Sequence, residues 1–311
     1  MNHDRYGSMA QRLPVNGIYF QRMDAKLAMA DASYQWIDID PFGSPVPFID
    51  SAIQSLARTG VLEVTATDTA ALTGSSLSSQ KRRYGAQGIV DDYAHDDAVR
   101  VLLGMIAKTA AMHDRIIKPI LSLFDGHHVR VSVLIKTSKE AASNFQEQLG
   151  YRLRTKDVPY KFIKYPSADQ IKSASGPLWI GPLMDKEIAG RLTEECAIQT
   201  CLPTSDELEE LIAKGLAWSD KDVEYATREM IRSVKHISSA ADLLSRQHML
   251  LSLNSMPRLA GTKGAPKMDD VISDLIELGY SAARYPDMEP MFVTDASFDD
   301  VISIFRKYHY D

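Results

Sequence analysis

The chain has 311 residues, 45% hydrophobic and 24% charged, the balance of a protein that buries a core rather than one that stays disordered. Its 35 Lys and Arg against 41 Asp and Glu give a net charge of −6, which argues against blanket coating of nucleic acid but allows a local basic face. Two cysteines, Cys196 and Cys201, exclude a disulfide scaffold and a four-cysteine zinc site, and no apolar run approaches the ~20 residues that span a bilayer.

The N-terminus lacks the apolar core of a signal peptide, so the cytoplasm is the expected location. Residues 1–16 show no clear periodicity. Residues 36–40 read as a short buried strand stopped by Pro41. Val46, Ile49, Ile53 and Leu56 share one helical face and predict a helix to Arg58, with Ser44 as its N-cap, Pro45 at its first position and Thr59-Gly60 as its end. Residues 61–67 read as a second strand. Strand, helix, strand is a βαβ unit, which demands a parallel pair and a right-handed crossover. Ligands in such sheets sit at the carboxyl ends of the strands, where Asp38, Asp40 and Asp68 fall.

A polar loop over 73–80 leads into Lys81-Arg82-Arg83-Tyr84-Gly85, read as part of a mobile loop. A helix follows over 96–113, then paired strands at 116–124 and 129–135, the second alternating through Val129, Val131, Val133 and Ile135. Residues 139–150 read as helix, and 151–165 as a strand pair turning near Pro159. The Gly- and Pro-rich stretch 173–182 reads as a hinge, which divides the chain into one domain at 1–182 and a helical and α+β domain at 183–311. Beyond it, helices are predicted near 183–199, 205–215, 219–233 and 238–252. A small α/β unit closes the chain, with helix 268–278, strands at 281–285 and 291–294, and helix 297–308.

Asp40-Pro41-Phe42-Gly43 is the most informative tetrapeptide. Methylation of an exocyclic amine needs an acceptor for the amino N–H, so that the nitrogen lone pair points at the methyl donor, and a carboxylate at a strand end also takes the departing proton. An aromatic two residues on can stack on the base, a contact worth about 1–3 kcal/mol. The same tetrapeptide also reads as a plain βα turn whose Asp holds the loop and whose Phe packs in the core. Asp38 lies on the same side of the strand as Asp40 and reads as structural, binding nearby backbone N–H groups. Lys81-Arg82-Arg83-Tyr84 suits phosphate contact, or a solvated surface run. Between Arg130 and Lys172, nine cationic residues stand against four acidic ones, the footprint of a basic stripe. His127-His128 lacks a third metal ligand at useful spacing, and Cys196 and Cys201 read as buried thiols.

Four motifs in order carry a family resemblance: residues 38–45 (Asp-Ile-Asp-Pro-Phe-Gly-Ser-Pro), 64–70 (Val-Thr-Ala-Thr-Asp-Thr-Ala), Leu72-Thr73-Gly74, and Arg83-Tyr84-Gly85, with Gly176 to Leu183 as a further signature. The sequence resembles the tRNA (guanine-26-N2) dimethyltransferase family from about Asn16 to the C-terminus. The resemblance implies an α/β fold: a Rossmann-like class I methyltransferase domain, incomplete at its N-terminus, plus a smaller α/β C-terminal domain that contacts tRNA. It implies S-adenosyl-L-methionine as cofactor and tRNA as partner, with one and then two methyl groups added to N2 of guanine 26. Asp40 would be the carboxylate at the target amine and Phe42 its stacking neighbour. Asp24 would accept the adenine amino group of the cofactor and Ala25 would lend its backbone N–H. Arg82, Arg83, Tyr84 and Arg130 are the expected tRNA contacts.

The family's first strand, its glycine-rich loop for the methionine end of the cofactor and its ribose carboxylate have no counterpart before Asp24. The expectation is an N-terminally truncated chain with a weakened hold on the cofactor and an exposed sheet edge. The cysteines that bind zinc in some relatives are absent, so no zinc is expected. Ala283-Arg284-Tyr285 and residues 293–296 echo the family, but Tyr285-Pro286 stands where Thr-His is usual. Two further readings remain at this point: a tRNA-binding module without catalysis, and an amino methyltransferase acting on DNA or another RNA, which the linked Thr65-Ala66-Thr67-Asp68 disfavours.

Overall fold

Hydrophobic alternation and one short crossover build the main sheet. The computed structural model describes residues 11–12, 19–20, 22–215, 219–246, 248–286 and 290–308. Strand β1 (Tyr34–Ile39) runs parallel to β2 (Leu56–Ala66). The crossover between them is helix α2 (Val46–Ser55), preceded in the chain by α1 (Ala25–Ala30). β3 (Arg115–Phe124) and β4 (Val129–Thr137) form an antiparallel hairpin that lies against β2 through β4, giving the order β1-β2-β4-β3. Residues opposite each other share a face, so Ile37, Leu62 and Val133 line one side and Trp36, Asp38, Glu63 and Arg130 the other. The first side is buried and joins α2 and α5 (Ala94–Met112) in one core.

α5 is buried nearly all round because it is sandwiched. The main sheet covers one side, and a second sheet of β5 (Leu149–Arg154), β6 (Tyr160–Ile163) and β7 (Ala174–Trp179) covers the other. A helix in that position needs no polar face. Its Gly104 lets the backbone of β7 come close, since a Cβ there would meet the Trp179 nitrogen at 3.3 Å.

Several junctions differ from the sequence reading. α2 stops at Ser55 and β2 begins at Leu56, whose apolar side chain fits the helical spacing but is buried at the start of the strand. Thr59-Gly60 lies inside β2 rather than ending a helix. A Cβ on Gly60 would sit 3.0 Å from the Gln35 carbonyl, so the glycine admits a close strand neighbour. The predicted helix over 139–150 is one turn of helix at Lys139–Ser143 and a 3-10 turn at Phe145–Gln148. The stretch read as a hinge is β7, hydrogen-bonded to β5.

After β7, short helices Lys186–Ala189 and Glu194–Cys201 replace one predicted helix, the second started by the Thr193 side chain. Helix Ser205–Ala213 carries a Thr204–Glu207 capping box. The two helices expected over 219–252 are one helix, α6 (Asp220–Leu244), followed by strand β8 (Leu250–Ser252). β8 forms a three-stranded sheet with β9 (Ala282–Arg284) and β10 (Met291–Thr294), ordered β8-β10-β9. α7 (Met268–Glu277) and α8 (Phe298–Lys307) pack on it through Val271, Leu275, Val301 and Phe305 around Phe292.

Candidate active site

β1 delivers Asp40 to the carboxyl end of the parallel pair, as the βαβ geometry requires. Asp40 is exposed, and Phe42 stands fully clear of the protein. Pro41, Pro45 and Pro47 restrict the backbone around them. Gly43 adopts a φ of +89°, which favours glycine. Its N–H donates to Thr67 Oγ1 at 2.6 Å, and the Thr67 N–H donates back to the Gly43 carbonyl at 3.0 Å. The loop after β1 is thereby tied to the end of β2.

A second tie runs through a more distant segment. Lys81, Arg82, Arg83 and Tyr84 form the last turn of a helix, α4 (Leu77–Tyr84), rather than a loop; α3 (Thr69–Leu72) precedes it. Three cations near a helix C-terminus complement its dipole, and Gly85 ends the helix in the left-handed conformation at φ 64°. Arg82 is exposed. Arg83 Nη1 donates to Asp68 Oδ2 at 2.9 Å, and the Tyr84 hydroxyl donates to Asp68 Oδ1 at 2.7 Å. Tyr84 is buried, and its oxygen also meets Ser44 Oγ at 3.1 Å. Burial pushes the Tyr84 hydroxyl well above its ordinary value, so it stays a donor. Ser44 is therefore engaged with Tyr84, while Pro45 takes the N-cap position of α2 without a side-chain cap bond.

Asp38 binds a guanidinium rather than backbone N–H groups. Arg130 Nη2 reaches Asp38 Oδ2 at 2.9 Å and also Glu63, while Nη1 donates to Thr65 Oγ1 at 2.7 Å. This cluster crosses three neighbouring strands on the polar face of the main sheet. Glu63, and the role of Thr65 as a partner of Arg130, escaped the sequence reading. Their signal is their parity with Asp38 and Arg130, which only the register between strands makes visible.

Asp24 is the N-cap of α1, its Oδ1 accepting the Lys26 N–H at 2.8 Å. Ala25 is the first residue of that helix, where a backbone N–H has no acceptor within the helix. α1 packs on α2, and the Tyr34 hydroxyl donates to the Ala28 carbonyl at 2.9 Å.

The basic stripe is interrupted and partly neutralised. Arg152 is completely buried between Asp97 and Asp91, and Arg154, Lys164 and Lys172 pair with Asp91, Glu147 and Asp169. Lys136, Lys156 and Lys161 are exposed. The His127 and His128 N–H groups both bond to the Asp125 carboxylate in a turn, and no group of three metal-binding side chains occurs among the described residues. Cys196 and Cys201 are exposed rather than buried, since Ala197 is the buried residue of their helix. A cavity of about 750 Å³ lies away from these motifs, between the β3 edge at Ile117 and Lys118 and the side chains of Phe145, Trp179 and Met184.

A sequence model of the family described as N2,N2-dimethylguanosine tRNA methyltransferase matches residues 8–306. The chain belongs to this family. Among its members, the tRNA (guanine(26)-N(2))-dimethyltransferase of Archaeoglobus fulgidus is 30% identical over 91% of this chain and 72% of its own length. The enzyme of the same name from Thermococcus kodakarensis is 29% identical over 93% of this chain and 69% of its own. That of Metallosphaera sedula is 36% identical over 65% of this chain, and the match spans 56% of its length. A complex structure of Trm1 from Pyrococcus horikoshii with S-adenosyl-L-methionine superposes with a TM-score of 0.71 at 27% identity, covering 92% of this chain and 70% of that one. The fold is thus that of the N2,N2-dimethylguanosine tRNA methyltransferases, a Rossmann-like α/β part followed by a smaller C-terminal domain.

Proposed function

We propose that this chain acts in the transfer of methyl groups from S-adenosyl-L-methionine to N2 of guanine 26 in tRNA, first one and then a second. The observation that carries this reading is the pairing of an exposed carboxylate, Asp40, with a fully exposed aromatic ring, Phe42, on one stiff loop at the end of a parallel strand. The Asp40 carboxylate accepts an N2–H of the guanine, which aims the nitrogen lone pair away from it. It takes that proton as the new N–C bond forms and the bond from the methyl carbon to sulfur breaks. Phe42 stacks on the purine and fixes its plane.

The cofactor supplies the methyl group when bound. The donor set at α1 fits its adenine end: Asp24 caps the helix and is solvent-exposed, and Ala25 offers an N–H without a helical acceptor. Arg82, exposed on α4, is the candidate for a tRNA phosphate, and Arg130 on the polar face of the main sheet is a second if it exchanges its own carboxylates for phosphate. No helix among the described residues is long and apolar enough to cross a membrane, and a tRNA substrate makes the cytoplasm the natural site of action.

Two assays test this reading. Calorimetry should detect S-adenosyl-L-methionine binding that Asp24→Ala weakens. Transfer of labelled methyl to unmodified tRNA should fall about 100-fold or more in Asp40→Asn, with tRNA affinity held within about threefold. Wild-type-like transfer by Asp40→Asn, or no transfer by the wild-type chain with cofactor and tRNA present, overturns it.

A further inference from the structure

We infer that Tyr84 is a positioning residue for the Asp40–Phe42 loop, acting through a hydrogen-bonded clamp that it forms with Ser44 and Asp68. The clamp joins three separate segments: the loop after β1, the end of β2 and the last turn of α4. Its members are 40 and 16 residues apart in sequence, so it exists only in the folded chain. Because Tyr84 donates to Asp68, the 3.1 Å contact with Ser44 must run from the serine hydroxyl to the tyrosine oxygen. The bonds thus point one way, Ser44 to Tyr84 to Asp68, an order in which each strengthens the next. Arg83 holds the second Asp68 oxygen at 2.9 Å, so the carboxylate that anchors the clamp is fixed at both ends.

The loop shows why such a clamp has work to do. Its prolines limit rotation but supply no N–H to hold it, and the Gly43–Thr67 bonds fix only one point. Ser44 is the next residue, so Tyr84 fixes a second point and with it the direction in which Asp40 and Phe42 project. Arg83 and Tyr84 then serve the loop from behind, and their loss should slow the chemistry rather than loosen RNA.

The role assigned to the loop rests on the proposed function, but the clamp itself does not. Hydrogen exchange in a peptide spanning 38–48 reads it without turnover. Tyr84→Phe, which removes only the hydroxyl, should speed exchange about fivefold, the equivalent of one lost hydrogen bond of about 1 kcal/mol. Ser44→Ala removes the same contact from the loop side and should act alike. The double variant should be no worse than Tyr84→Phe alone, because both substitutions break one chain.

In methyl transfer, Tyr84→Phe should lower kcat by about 10- to 100-fold with the Kd for tRNA unchanged within about twofold. Unchanged exchange in both single variants overturns the clamp. So does a loss of tRNA affinity at constant kcat, which would put Arg83 and Tyr84 on the RNA surface. Absence of transfer by the wild-type chain counts against the proposed function alone, since exchange still decides the clamp. Should Tyr84→Phe fold poorly, the loop-side variant Ser44→Ala decides.

Discussion

Arg152 illustrates how a residue's neighbours reverse its meaning. In sequence it belongs to the cationic run from Arg130 to Lys172. In the fold it is the largest fully buried side chain among the described residues, with Nε and Nη2 on the two oxygens of Asp97 at 2.7 and 2.6 Å, and Nη1 and Nη2 on Asp91 at 3.1 and 2.9 Å. The rings of Tyr93 and Tyr160 flank it. Such a bidentate arrangement satisfies most of the guanidinium's donors, which is why the charge can be buried. Removing the cation strands Asp97, itself completely buried, without a counter-charge. Arg152→Met should therefore cost about 3–5 kcal/mol in chemical denaturation, far more than Lys156→Met or Lys161→Met at exposed positions. Equal, small effects at all three would show that the buried network contributes nothing net. A charge count along the chain could not find this, because it does not know that the fold brings Asp91 and Asp97, some sixty residues away, against Arg152. The placement of Asp40 and Phe42 past the end of a strand was legible for the opposite reason: it is written within one tetrapeptide. Ser44, Asp68 and Tyr84 each stand out in the sequence singly, but their contact with one another does not, since no local pattern marks residues brought together from three segments.

At the scale of elements, strong periodicity was readable and junctions were not. The long α5, the β3–β4 hairpin and the terminal unit of α7, β9, β10 and α8 match the pattern in the sequence closely. The pattern carries α2 too far because Leu56 suits both a helical face and a strand interior, and it divides α6 in two. The helix instead runs on through the division, with Val234, Ile237, Ala240 and Ala241 buried along one face. On the same helix, His236 meets Arg232 from its own turn, Arg284 from β9 and Asp269 from the first turn of α7. Burial, then Arg284 and Arg232, hold its pKa below the ordinary 6.5, against a smaller opposing pull from Asp269. The unfolded chain therefore binds a proton at a higher pH than the folded one. Stability must fall as the pH drops through the ordinary histidine value, and level off below the folded-state value, where both states are protonated. Between about pH 7.5 and 5.5, His236→Gln should lose less Tm than the wild-type chain, and the His236 ring should titrate below 6.5 by NMR. A ring titrating at or above 6.5 would contradict this packing.

On the scale of the whole molecule, the main sheet is closed on one face and open on part of the other. Parallel strands are ordinarily covered on both faces, yet β1 pairs only with β2 among the described residues, and Trp36 on its polar face is 62% exposed. Met23 and Leu27, before and within α1, are exposed as well, and Phe42 lies just past the strand. Edge strands are usually guarded by charge. Here the one acid on β1, Asp38, is already bound by Arg130, so its charge repels an approaching strand weakly. Unpaired among the described residues and bearing an unguarded indole, this edge should pair with another strand as concentration rises. The chain should therefore show an apparent mass in light scattering that grows with concentration. Trp36→Glu restores a guard without touching the buried side, where Ile37 and Ile39 face the core, and should keep the chain monomeric with its Tm within about 2 °C of wild type. Salt separates two causes of the association. If it is driven by apolar contact through Trp36, added salt leaves it intact or strengthens it; if it is driven by opposite charges on distant surfaces, salt dissolves it and Trp36→Glu has no effect. A wild-type chain that stays monomeric at every concentration would mean that this edge is guarded after all.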